Sequence, residues 1–138
     1  MYDKPMLGLN DAMAALQAML AEANKEPQRP VAMAVVDDHG DMICFARMDR
    51  TAPNPVSLAY RKAYTAARAR SDTPAFRERL ASGGISVRDL GDPNLVPVQG
   101  GIVIARADGT VLGGIGVSGR TAQQDEEIAK IGLAAMKL

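Results

Sequence analysis

The stretch 96-VPVQGGIVIARADGTVLGGIGVSGRTAQQDEEIAKIGLAAMKL-138 decides the fold. It reads in order as strand, strand, tight turn, glycine-lined strand and capped helix. Residues 96–99 and 102–106 are strand-like and are parted by Gly100 and Gly101. Asp108-Gly109 is the strongest hairpin signal in the chain, because both central positions of such a turn favour residues that tolerate positive φ. The last strand, 111–118, carries Gly113, Gly114 and Gly116. Seven of the 13 glycines fall between Gly100 and Gly119. Glycine weakens a strand, so this density predicts close backbone approaches, to a ligand or to a neighbouring subunit. Thr121 and Gln124 form a capping box, and Asp125, Glu126 and Glu127 sit where the helix dipole favours negative charge. Ile128, Ile131, Ala135 and Leu138 give this helix its apolar stripe.

Upstream, Leu9, Met13, Leu16 and Leu20 have the spacing of an amphipathic helix over about residues 10–25, with Asn10 as N-cap and Pro27 and Pro30 beyond its end. "VAMAVVD" and "MICFARM" are strands joined by "DHGD", where Gly40 supplies the positive φ of a tight turn. Both faces of these strands are apolar, so the sheet is covered on both sides. A helix follows with Asn54 as N-cap and Pro55 at its first position. Ala59, Ala63, Ala66 and Ala67 give it a small-residue face, and Arg61, Lys62, Arg68 and Arg70 make it basic. Thr73-Pro74 opens a short helix, and residues 81–97 read as a long loop. The order α-β-β-α-(α)-β-β-β-α, dominated by hairpins, predicts a single α+β domain over residues 1–138.

Composition narrows the function. Lys+Arg and Asp+Glu both number 16, and a chain without basic excess is not built for non-specific binding to nucleic acid or an anionic membrane. One cysteine excludes an intrachain disulfide, and one histidine excludes a multi-histidine metal site within the chain. No basic, apolar leader and no membrane-length apolar run is present, so the expected location is cytoplasmic. The glycines lie within strands and form neither a P-loop nor a strand–GxGxxG–helix fingerprint.

Three segments carry a family resemblance: "GGIVIARADGTVLGGIGVSGRTAQQDEEIA", "AVVDDHGDMICFARMD" and "AYRKAYTAA". Together they resemble the GlcG/HbpS family of haem-binding-protein-like domains, which includes the C-terminal domain of PduO-type proteins. The resemblance covers nearly the whole chain, and "GVSG" followed by "QDEE" is its most specific part. It implies a profilin-like fold with a five-stranded antiparallel sheet flanked by helices, and homo-oligomers, octamers among them. Members are associated with haem or corrinoid systems or lie beside catabolic enzymes. Haem therefore enters by resemblance alone, and the residues themselves predict no cofactor.

The candidate residues read as follows. Lys62 lies where the family pattern has its lysine, and alanine-rich surroundings would desolvate its amine, making it reactive or a partner for a carboxylate. Asp125 or Glu126 would share acid–base work with it. Arg120, at the helix start after Gly119, would hold a ligand carboxylate; Gly100, Gly101 and Gly119 would be pocket walls, and Arg47 a pocket-rim group. His39, the only imidazole, sits in a hairpin tip and reads as a turn residue rather than a haem ligand. Cys44 lies mid-strand and reads as a small hydrophobe. Two functions fit: an oligomeric small-molecule-binding or accessory protein of a catabolic pathway, or a cofactor-free isomerase, lyase or hydrolase acting on a small carboxylated catabolite.

Overall fold

The computed structural model describes residues 1–138. Its elements are α1 (Leu9–Ala23), β1 (Ala32–Asp37), β2 (Met42–Arg47), α2 (Pro53–Ala69), α3 (Thr73–Ser82), a 3-10 turn (Val87–Leu90), β3 (Gly101–Ala105), β4 (Val111–Ser118) and α4 (Ala122–Ala134). The strands form one antiparallel sheet in the order β2-β1-β4-β3. The α+β class is as expected. The strand count is not: the sheet has four strands, and residues 96–99 are not one of them. That segment is tied to a helix instead. The Val96 amide donates to Thr65 Oγ1 at 2.8 Å on α2, which satisfies it without a strand partner.

Alternation along β1 splits the core in two. Met33 and Val35 pack with α1, α4 and the apolar side chains Ile102, Ile104, Ile115 and Val117 of β3 and β4. Ala34 and Val36 point to the other face and pack under Ala63 and Ala67 of α2. The sheet is thus covered on both sides, as its doubly apolar strands require.

On the α2 side the glycines have their explanation. A Cβ on Gly116 would strike the Ala59 carbonyl oxygen, and one on Gly114 the Ala63 carbonyl oxygen. One on Gly101 would strike the Lys62 carbonyl oxygen. Helix backbone rests directly on strand backbone, and the alanine face of α2 is the matching half of that contact. The close approach read from the glycine density is real, and at these positions it is made by the chain's own helix.

Three helix starts lie one or two residues earlier than the sequence reading. Gly8, Ala52 and Asp72 are the N-caps of α1, α2 and α3, in place of Asn10, Asn54 and Thr73. Asp72 and Thr73 serve β3 instead: Val103 N donates to Asp72 Oδ1 at 2.9 Å and Gly101 N to Thr73 Oγ1 at 3.1 Å. This edge of the sheet is thereby closed by side chains of α3. The opposite edge, β2, has no such cover.

Candidate functional site

Lys62 points from α2 past Gly100 toward the end of β4 and the start of α4. Its Nζ donates to the Val117 carbonyl at 2.9 Å and to Asp125 Oδ2 at 3.2 Å. Both side chains are 2% exposed. Gly100 makes the passage possible: it has φ +122°, and a Cβ there would lie 2.8 Å from Nζ. Asp125 stands in the first turn of α4, where Thr121 and Gln124 close the expected capping box. Its Oδ1 accepts the Arg120 amide at 2.9 Å. Burial pushes the Lys62 amine below its ordinary range and the Asp125 carboxyl above its own, each opposed by attraction to the other.

The chain brings Lys62, Asp125, Gly100 and the backbone of residues 119–120 together, as the sequence reading grouped them. The Arg120 guanidinium, however, turns to the end of α1. Its Nε donates to the Arg29 carbonyl at 2.8 Å, and Nη2 donates to the carbonyls of Ala23 at 2.9 Å and Glu26 at 3.2 Å. One of these carbonyls ends α1 and two belong to the turn that follows, so an arginine 91 to 97 residues away pins the exit of that helix. Gly119, with φ +142°, lies against Pro30 and Val31. Glu126 accepts from Gln99 Nε2 at 2.9 Å and lies 3.7 Å from Lys130. Arg47 lines a separate depression of about 240 Å³ with Leu20, Asn24 and Met48. Cys44 is half-buried, and desolvation raises its thiol pKa, as a strand hydrophobe requires.

Arg68 and Arg70 do something their basic-helix reading did not show. With Lys4, Asp38, His39 and Thr110 they line a groove of about 590 Å³ at the turn end of the sheet. The pieces come from four parts of the chain, so no local pattern marks them. A second long-range feature is the fastening of residues 92–96 to α2. Asp92 accepts from Tyr64 Oη at 2.7 Å, the Pro93 carbonyl from Arg61 at 3.0 Å, and Val96 N donates to Thr65.

Comparison with known proteins fits this architecture. Residues 7–134 match the family described as "Haem degrading protein HbpS-like". The chain belongs to the HbpS-like family. Protein GlcG of Escherichia coli K12 is 34% identical over 113 residues, covering 80% of this chain and 81% of GlcG. The corrinoid adenosyltransferase PduO of Salmonella typhimurium LT2 is 31% identical over 121 residues, covering 85% of this chain but 35% of PduO. A double mutant of Streptomyces reticuli HbpS superposes with a TM-score of 0.88 at 31% identity, over 100% of this chain and 92% of that one. The haem complex of PduOC superposes with a TM-score of 0.84 at 28% identity, over 96% of each chain.

Those likenesses raise haem, and the residues around His39 test it. A porphyrin needs an apolar slot beside its axial donor. In this HbpS-like chain the imidazole is exposed, its Nε2 is 3.3 Å from the Lys4 ammonium, and the groove beside it is lined mainly by charged and polar side chains. These residues do not fit a haem ligated by His39.

Proposed function

We propose that this protein is an accessory small-molecule-binding member of the HbpS-like family, working beside catabolic enzymes as a cytoplasmic homo-oligomer. The observation that carries the reading is the closure of the Lys62–Asp125 centre. The amine, the carboxylate and the neighbouring guanidinium all spend their hydrogen bonds inside the fold, so none stands free beside an open cavity. A general acid or base needs reach to its substrate proton, and the burial of both side chains supports a binding reading over acid–base work by this pair. The uncovered β2 edge, with its apolar run "MICFA", supports association with further copies.

The enzyme reading has one observation in its favour: burial drives the two ionisation ranges toward each other, an arrangement that active sites use. Haem binding is supported by the PduOC haem complex, and the surroundings of His39 count against ligation by that residue.

A thermal-shift panel of small carboxylates, aldehydes and haemin tests the reading. The expected result is stabilisation by at least one compound, undiminished in a folded Lys62→Met/Asp125→Leu variant. No stabilisation by any compound, or turnover lost with Lys62, would contradict it. Haemin titration should give no Soret shift that depends on His39.

A further inference from the structure

We propose that the groove at the turn end of the sheet binds a small dicarboxylate that also bears a hydrogen-bond donor, a hydroxy or amino acid. The inference rests on the accessory-binding reading and adds a place and a ligand class to it.

Arg70 is the first argument. It caps α2 in the left-handed conformation, φ 57° and ψ 34°, a position where glycine is the common choice. Its guanidinium lines the groove and has no hydrogen-bond or ion-pair partner within the chain. A non-glycine residue held there, with an unspent planar donor, points from an outlier to a use. Arg68 stands beside it and is well anchored. Its guanidinium lies 5.1 Å from the Tyr64 ring centre, donates to the His39 carbonyl at 3.1 Å and is 3.8 Å from Asp92. Two guanidinium groups suit two carboxylates, each able to accept a paired set of N–H bonds.

Asp38 is the second argument. Its Oδ2 pairs with Lys4 Nζ at 2.6 Å, while Oδ1 is buried without a donor. No other buried side-chain nitrogen or oxygen in the chain is left in that state. Asp38 lines the groove, and an orphaned acceptor closed off just behind that wall favours a ligand that opens it and brings a donor. Lys4 lies on the irregular segment before α1 and touches both Asp38 and His39, so a ligand reaches Asp38 by displacing that one side chain. In the lining, Lys4, Arg68 and Arg70 face the single carboxylate of Asp38. Asp92, 3.8 Å from Arg68, and the C-terminus of α2, worth about half a unit of negative charge, offset part of that charge and leave Arg70 without a paired anion.

Calorimetry with malate, aspartate and succinate tests the site, because the three share a skeleton and differ at one substituent. Malate and aspartate should bind the wild-type protein, with succinate at least about tenfold weaker for want of the donor. Arg70→Gln, at an exposed residue without internal partners, should weaken malate by about tenfold or more. Asp38→Ala should bring malate down to the level of succinate. Absence of heat with all three, equal affinity for malate and succinate, or indifference to Arg70→Gln overturns the site. If a different compound from the thermal-shift panel stabilises wild type and Arg70→Gln alike, the accessory reading stands and this site does not.

Discussion

The Lys62 ammonium lies 3.2 Å from Asp125 Oδ2, with both side chains removed from water and 63 positions apart in sequence. This contact joins α2 to α4 across the end of β4. Because Nζ also bonds the Val117 carbonyl, three elements meet at one amine. Removing one partner leaves a buried charge alone, which costs about 3–5 kcal/mol, whereas removing both for apolar groups is often neutral. Lys62→Met should therefore lower unfolding stability in urea by about 3–5 kcal/mol. Lys62→Met/Asp125→Leu should recover most of that loss. Additive losses would mean the pair is not coupled.

The same pair gives a pH dependence with a definite sign. Desolvation raises the Asp125 carboxyl above its unfolded value, so between the two values the folded state binds more protons than the unfolded state. Stability from this group then increases as pH falls through the raised value, and the gain is complete below the unfolded value of about 3.9. Lys62 is lowered by burial, so its contribution improves as pH rises through its lowered value toward about 10.4. The stability difference between wild type and Asp125→Asn should thus move in favour of wild type as pH falls from 7 toward 4. Movement in the other direction would show a carboxyl held low by its partners.

Glycines under α2 should tolerate nothing larger. Gly116→Ala drives a methyl into the Ala59 carbonyl and should cost about 3 kcal/mol in chemical unfolding. Gly83→Ala is the control, with φ −86° and ordinary contacts at 3.5 Å, and should stay within about 0.5 kcal/mol. A mild Gly116→Ala would place the close approach elsewhere.

Much of this fold is legible in short-range chemistry, because hairpin turns and caps are local. Gly40 takes φ +90° and Gly109 φ +88° where the sequence asks for turns, and Thr121 accepts from Gln124 N at 3.2 Å as the capping box requires. What stays hidden are bonds between distant segments. Nothing near Val96 announces that its amide belongs to Thr65, so an apolar run reads as a strand and the sheet gains a strand it does not have. Thr73 looks like a cap, yet its side chain and that of the actual N-cap, Asp72, close the edge of β3. Arg120 shows the same limit. Its position beside Gly119 is readable, but its service to the carbonyls of Ala23 and Glu26 is a tertiary event.

The Thr65 contact can be checked directly. Thr65→Val keeps shape and removes the acceptor for the buried Val96 amide, a loss of about 1–3 kcal/mol. Hydrogen exchange should accelerate at residues 92–96 more than in β1. Uniform acceleration across the sheet would mean the segment is not fastened independently.

Arg120→Ala should lower stability by about 2–3 kcal/mol, since the carbonyls of Ala23, Glu26 and Arg29 lose a charged donor at once. Arg120→Lys should recover little, because one ammonium cannot reproduce the planar fork. Full recovery in chemical unfolding would show that charge alone matters there.

On the proposed function, Lys62 and Asp125 hold the fold together while ligand binds elsewhere. Ligand-induced thermal stabilisation in the folded Lys62→Met/Asp125→Leu variant tests it most directly. A compound that stabilises wild type should shift the variant's melting temperature by the same increment. A folded variant whose increment vanishes would contradict it, and would return the buried pair to the binding or catalytic site.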